Sequence, residues 1–526
     1  MTARVWPAMS LLGALLLLQA VTVVPWHGDL EVWLELVRQP SKDLVGLLAL
    51  VLLGAAAGFR RTSAWLAGFV LWLLALLRPA LELHPSVFQR PFELADVLQF
   101  PGLVHLLLSR WPVAVQMLAV VGVVLIWPLL ALAFLRVASL ARPRSSLVTS
   151  LGVAATVVLA TWLGAPIRWQ WSTATATVEV VRGAYQSWVD RDRIAAEIQE
   201  RIDAGFARMQ AAPPELAGLH GVDVHVLVIE SYGAVAWRDS RLSARQESLW
   251  RELSAQFAAH GFASVSGRVH PAITGGGSWM AHQELFTAVR VPDQRTFDRV
   301  LLGRARPLPH VFRAAGWFTV EAMPAMPKHW PEGDAFYGFD RSLVQADFPY
   351  TGHLFAFGHV PDQVVLQQLL ARTVLPADRP LFTVFVSTSS HAPWKETPPF
   401  LADWLPNDAA LGAPAVTHEL SWADVLGGER LLPAYRDSIE YALRSAAGYV
   451  CRLPRPSLVL LLGDHQPPMP GQDATFEVPL HVLSNRPELL PRWRELGFVD
   501  GDRPLAAATS MPLHDLAPTL LRLYRR

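Results

Sequence analysis

The chain has 526 residues, 45 basic and 45 acidic side chains, no formal net charge, and a hydrophobic content of 52% that includes 20 tryptophans. Balanced charge removes the electrostatic footing for a nucleic-acid partner, and the lone cysteine, Cys451, excludes a disulfide framework or a cysteine-based zinc site. Such a length implies more than one structural unit, and the apolar share matches a membrane protein with a large soluble part.

The apolar residues cluster at the front. Five stretches, 9–26, 43–59, 62–77, 113–135 and 146–167, lie near the length that crosses a bilayer. They predict an all-α bundle of five transmembrane helices over residues 1–167. Arg4, Arg60, Arg61, Arg136, Arg142 and Arg144 fall on one side of these spans without an acidic residue among them. The opposite loops mix both signs. A positive-inside arrangement therefore places everything after about residue 167 outside the cytoplasm.

Residues 168–220 change character. WVDRDRIAAEIQERIDAGFARM reads as a helix with charged faces, a juxtamembrane linker lying at the bilayer surface or a plain solvated helix. From 221 to 526, apolar runs alternate with helix-like stretches. VDVHVLVIES, FASVSGRV, WFTVEAMP, LFTVFVSTSSH, SLVLLLGDH and VPLHVLS are the strands, with helices such as ESLWRELSAQFAAHG and DQVVLQQLLARTV between them. Continuous apolar strands that alternate with helices predict an α/β domain with a mostly parallel sheet covered on both faces.

In such sheets ligands bind beyond the carboxyl ends of the strands. Three runs deliver ionisable residues to that edge: Glu230 after VHVLVI, His391 after LFTVFVSTSS, and Asp464 with His465 after SLVLLLG. Ser278 follows three glycines and opens a helix-like segment, which suits both an N-cap and a nucleophile held at the positive helix end. Two carboxylates and an imidazole suit one divalent ion: manganese, magnesium or zinc. A serine oxygen on such an ion is activated as a nucleophile.

The ordered set IESYG, GGGSWMAHQELFTA, STSSHAPW, LLGDHQPP and LHDLAPTLL resembles the sulfatase-like branch of the alkaline phosphatase superfamily, nearest to the lipoteichoic acid synthase and phosphoglycerol transferase families. The resemblance implies five membrane helices, a helical linker and an extracytoplasmic metal-dependent domain in a bacterial plasma membrane. It implies Glu230, Ser278, Asp464 and His465 as metal ligands, Ser278 as nucleophile and His391 as a substrate histidine. The implied reaction is ping-pong. Ser278 takes the headgroup phosphate of a phospholipid donor, diacylglycerol leaves, and the phosphate passes to an envelope glycan or lipid acceptor.

Several departures stand out. Ser278 replaces the usual threonine, and Trp279, Met280, Ala281 and His282 replace the acidic residues that usually follow. His282 then falls one helical turn on, and is either a site residue or an ordinary helix histidine. The family's phosphate-cradling tryptophan and arginine have no clean counterpart, and Lys328, His329 and Trp330 are the candidates in their place. A phosphoethanolamine transferase and an ester hydrolase of the same superfamily are the alternative activities. A non-catalytic glycan- or lipid-binding scaffold is the alternative of another class.

Overall fold

The computed structural model describes residues 10, 13–18, 21, 42–99, 113–139, 173–211, 216–303, 306–355, 358–404, 410–420, 424, 430–469, 475–501 and 509–525. The chain forms two compact units, one of residues 1–86 with 90–190, the other of residues 87–89 with 191–526.

In the first unit, helices run over Lys42–Ala56, Arg60–Phe88 and Val113–Ala138. Leu44, Val51, Ala64, Leu71, Leu130 and Phe134 form their shared core, and Trp72 Nε1 donates to the Val123 carbonyl at 2.8 Å. Among the described residues, two helices are long and apolar enough to cross a membrane, within Arg60–Arg78 and Val113–Ala138; the helix at 43–56 is apolar but shorter. The five-helix expectation is thus met in part. The span expected at 146–167 lies outside the described residues, as does most of the one at 9–26.

The stretch expected as one charged helix is two, Thr173–Val189 and Arg191–Gln210. The second belongs to the larger unit, where Ile198, Ile202, Phe206 and Met209 are buried in its core.

The larger unit is built on one sheet. Its strands are β1 (Asp223–Ile229), β2 (Ala263–His270), β3 (Phe318–Met323), β4 (Arg341–Val344), β5 (Leu381–Val386), β8 (Ser457–Gly463), β9 (Val478–Ser484), β10 (Val499–Asp500) and β11 (Ser510–Pro512), while β6 (Glu396–Thr397) and β7 (Val416–Thr417) form a separate ribbon. The order is β10-β2-β9-β8-β1-β5-β3-β4, with β11 paired to β2. From β8 to β4 every ladder is parallel; β9 turns antiparallel against β8 and β2. A mostly parallel sheet is therefore observed. β1, β5 and β8 are buried along their whole length, which explains their unbroken apolar sequences. Separate apolar cores cover its two faces.

Register positions the site. Ile229 pairs with Gly463, and Val228 with Val386. The residues that follow β1, β5 and β8 therefore leave the sheet side by side, at its carboxyl edge. Gly463 has no room for a side chain, because a Cβ there would strike the Tyr232 carbonyl.

Candidate metal centre and nucleophile

Glu230 directly follows β1 and is 5% exposed. Ser231, next to it, adopts φ 60°, a left-handed conformation that costs a non-glycine residue on the order of 1–2 kcal/mol. That bend is held from three sides. The Ser231 N–H donates to Asp464 Oδ1 at 2.9 Å, its hydroxyl donates to Glu230 Oε1 at 3.2 Å, and its carbonyl accepts from Tyr435 Oη at 2.9 Å.

Across the β1–β8 ladder, Asp464 Oδ1 also accepts the His465 N–H at 2.9 Å. His465 Nδ1 donates to the Gln466 carbonyl at 2.8 Å, which turns Nε2 toward Glu230 Oε1 at 3.2 Å and Ser278 Oγ at 3.0 Å. The Gln466 carbonyl also accepts the Gly275 N–H at 3.0 Å. One carbonyl thus aligns the imidazole and anchors the glycine loop that carries Ser278.

Gly275, Gly276 and Gly277 all have positive φ, of 72°, 140° and 82°. The loop reverses tightly there, and the helix Ser278–Thr287 starts with Gly277 as its cap. This corrects the expectation that Ser278 caps the helix: it is the first helical residue. Its hydroxyl does not serve the helix end and instead donates to Glu230 Oε2 at 2.9 Å.

Glu230, Asp464 and His465 each offer a ligand atom within 4.8 Å of the others, and all three are buried. Two carboxylates in so dry a place require positive charge. Burial opposes ionisation of Glu230, yet the adjoining His465 holds it well below the ordinary carboxylate range. Burial and the Glu230 charge push Asp464 up. Burial pulls His465 down, but the two carboxylates outweigh it and raise the imidazole to about 9. Asp464 Oδ2 is buried and has no hydrogen-bond partner. An orphaned carboxylate oxygen facing an oriented imidazole, a second carboxylate and a serine hydroxyl fits a divalent cation of the oxygen- and nitrogen-loving kind.

The cluster opens into a cavity of about 380 Å³. Ser278, His282, His391, His465 and Trp330 are among its lining residues. His282 is 7% exposed, with Nε2 lying 3.7 Å from Asp464 Oδ2, too far for a hydrogen bond. His391 Nδ1 donates to the Ala392 carbonyl at 2.6 Å. Trp330 stacks on Phe297 with centroids 6.3 Å apart. Lys328 and His329 are exposed and do not line the cavity; His329 lies 3.4 Å from Asp347 and 3.6 Å from Asp334. His353 and His359 do not line it either.

The sequence pattern missed two residues near the site. Asp362, fully buried, accepts from Ser387 Oγ at 2.6 Å, Thr388 N at 2.9 Å and Ser389 N at 3.1 Å, which fixes the loop leading to His391. Glu321, on β3, faces the cavity. Each is one carboxylate in an otherwise ordinary helix or strand, with no glycine run or motif beside it.

The site is thus a buried carboxylate–imidazole cluster beside a helix-starting serine, the layout of a metal-assisted nucleophile. No protein-family model matches the chain, and no curated protein matches its sequence. Among solved structures it is similar to the lipoteichoic acid synthase LtaP from Listeria monocytogenes, at 11% identity and TM-score 0.38, covering 59% of this chain and 73% of that one. The Streptococcus pyogenes phosphoglycerol transferase GacH gives 13% and 0.38, over 63% and 84%. The soluble domain of lipooligosaccharide phosphoethanolamine transferase A from Neisseria meningitidis gives 14% and 0.39, over 60% and 90%.

Proposed function

We propose that the chain is a membrane-anchored, sulfatase-like phosphotransferase that moves the headgroup phosphate of a phospholipid through a serine-linked intermediate to an envelope glycan or lipid. The observation that carries this reading is the triangle of Ser278 Oγ, Glu230 Oε2 and His465 Nε2, with separations of 2.9 and 3.0 Å from the hydroxyl, next to the orphaned Asp464 Oδ2. The membrane anchor, the helical linker up to residue 220 and the catalytic domain from 221 onward belong to the same proposal, with that domain outside the cytoplasm.

Glu230, Asp464, His465 and Ser278 would hold the divalent ion, which supplies Lewis acidity and lowers the pKa of a bound hydroxyl. Ser278 Oγ attacks phosphorus and its proton passes to solvent. Glu230, which that hydroxyl contacts, is held well below the ordinary carboxylate range and would serve as a ligand and not as the base. The bond from phosphorus to the diacylglycerol oxygen breaks, and that oxygen leaves as diacylglycerol after taking up a proton. His391, oriented by its Nδ1 bond, is the group assigned to protonate it. An acceptor hydroxyl then attacks the serine-linked phosphate from the same cavity and gives its proton back to His391. The bond from phosphorus to Ser278 Oγ breaks, and that oxygen takes a proton from solvent, restoring Ser278. The helix start behind Ser278 offers N–H groups and positive potential to the phosphoryl oxygens.

The resemblance implies phosphoglycerol as the group moved; phosphoethanolamine is the alternative, with the same leaving group. The test is diacylglycerol release from labelled phosphatidylglycerol and phosphatidylethanolamine by the detergent-solubilised full chain with manganese. Release should require metal and should fall by about a thousandfold or more in Ser278→Ala. Release that survives this substitution would overturn the nucleophile assignment. A chain that binds no divalent metal would favour the scaffold.

A further inference from the structure

We infer that the cavity wall formed by Glu321, Asp334, Trp330 and Tyr337 is a subsite for a primary ammonium group on the substrate. This rests on the transferase reading above and narrows its substrate class.

Strand alternation sets up the wall. Val320 and Ala322 are wholly buried in the core on one face of β3, so Glu321 between them points to the opposite face. One of its oxygens accepts from Ser342 Oγ at 2.7 Å. Asp334 comes from the helix Pro331–Tyr337, which also brings Tyr337 into the same lining. Phe286 meets Tyr337 edge-on at 5.7 Å, and Phe297 stacks on Trp330. Acidic oxygens beside aromatic rings in a confined space are the chemistry that recognises an ammonium ion.

Charge across the cavity argues the same way. Its lining contains two carboxylates beyond Glu230 and no lysine or arginine, among the described residues. The phosphate is provided for by the metal-ligand cluster and the helix start, which line the same cavity. A glycerol hydroxyl would leave Glu321 without a compensating charge, whereas an ammonium group offsets it. Burial, with the neighbouring charge of Asp334, keeps the Glu321 carboxyl up at about 7, against the hydrogen bond from Ser342 and the imidazoles of His282 and His329. The group therefore lacks a strong resident cation. His282 also lines the cavity, and its buried Nε2, 3.7 Å from Asp464 Oδ2, has no hydrogen-bond partner, so the polar lining between the metal-ligand cluster and Glu321 is short of an occupant.

The amine has two possible sources, the donor headgroup or the acceptor. The experiment uses the full chain in detergent with manganese, wild type and Glu321→Gln, with Asp334→Asn as a second variant. Calorimetry first compares ethanolamine phosphate with glycerol phosphate. Wild type should prefer ethanolamine phosphate, and Glu321→Gln should weaken that ligand by about tenfold or more, the scale of one lost charge-assisted hydrogen bond.

Turnover then separates the sources. With phosphatidylethanolamine and phosphatidylglycerol supplied together, the mass of the Ser278 adduct identifies the headgroup taken. An aminoethyl phosphate adduct places the amine on the donor. Equal adducts from both lipids, with Glu321→Gln slowing transfer only to a glucosamine-bearing acceptor, place it on the acceptor. Equal affinity for the two phosphates, unaltered in both variants, would overturn the subsite. Failure of every lipid to give a Ser278-dependent product would instead overturn the transferase reading, and the binding comparison would still decide the subsite.

Discussion

His465 Nδ1 lies 2.8 Å from the carbonyl oxygen of Gln466, and this single bond decides which nitrogen faces the serine. A carbonyl only accepts, so Nδ1 carries a proton and Nε2 is the atom available to the cluster. Orienting a ligand imidazole through its second nitrogen is a general device of metal sites. Asp464 is divided in the same way: Oδ1 accepts two backbone N–H groups and Oδ2 accepts none.

That division makes Asp464→Asn a clean test. The amide oxygen can keep both backbone bonds while the NH₂ replaces the orphaned oxygen. The metal-free variant should melt within a few degrees of wild type, since a buried charge is lost and no bond is broken. Its metal affinity should fall by about tenfold to a hundredfold or more, and the rise in melting temperature on adding manganese should shrink accordingly. Thermal scans with and without metal check both halves. An undiminished metal-induced rise would remove Asp464 from the ligand set.

Much of this arrangement is legible in the sequence because each element announces itself locally. Glu230 and Asp464 both follow unbroken apolar runs that can only be buried strands, and the parallel register of β1 with β8 brings the two together. Ser278 is marked by its glycines. What was hidden depends on contacts far apart in sequence. Asp362 holds a loop 25–27 residues away, and Glu321 reaches the cavity only through the pairing of β3 with β5. The placing of Lys328 and His329 failed for a related reason. Trp330 stacks inward on Phe297, and the residues before it in the same loop are exposed.

Gly277 and Gly261 separate the backbone cost from the effect on the site. Both have left-handed φ, of 82° and 80°. An added Cβ at Gly261 meets nothing, whereas at Gly277 it comes 2.6 Å from Met280 Cε. Alanine at either position should cost on the order of 1–2 kcal/mol of stability. Only Gly277→Ala should also lower turnover, because the residue directly precedes Ser278. Denaturant melts paired with diacylglycerol release check this, and an equal loss of turnover in Gly261→Ala would refute it.

Asp362 acts at a distance from the phosphorus. Asp362→Ala removes the acceptor for the Ser387 hydroxyl and the Thr388 and Ser389 N–H groups. Buried donors left unpaired cost about 1–3 kcal/mol each, so stability should fall by several kcal/mol. Metal binding should persist, since no metal-ligand candidate touches Asp362, while turnover falls because the loop carrying His391 loosens. Metal stoichiometry alongside rate distinguishes this from general collapse. A variant that loses metal as readily as rate would contradict the positioning role.

Glu284 gives a pH test that does not involve the metal cluster. It lies wholly buried in the helix that Ser278 begins, and its oxygens accept the Ala272 and Val291 N–H groups at 2.9 and 2.7 Å. Burial raises its carboxyl to about 7, against those two bonds and the nearby Arg290. A carboxyl raised on folding binds more protons in the folded state than in the unfolded one. Its contribution to stability is therefore full below the unfolded value near 4.5 and is lost as pH rises through about 7. Glu284→Gln cannot ionise and should lack that slope. The amide must place an NH₂ against one of the two N–H donors, so the variant should be less stable than wild type at pH 5, by about 1–3 kcal/mol. The deficit should shrink between pH 5 and 8 as wild type loses its protonated advantage. Urea midpoints across that range check the sign, and a deficit that widens with pH would show that the charged form is the one the fold stabilises.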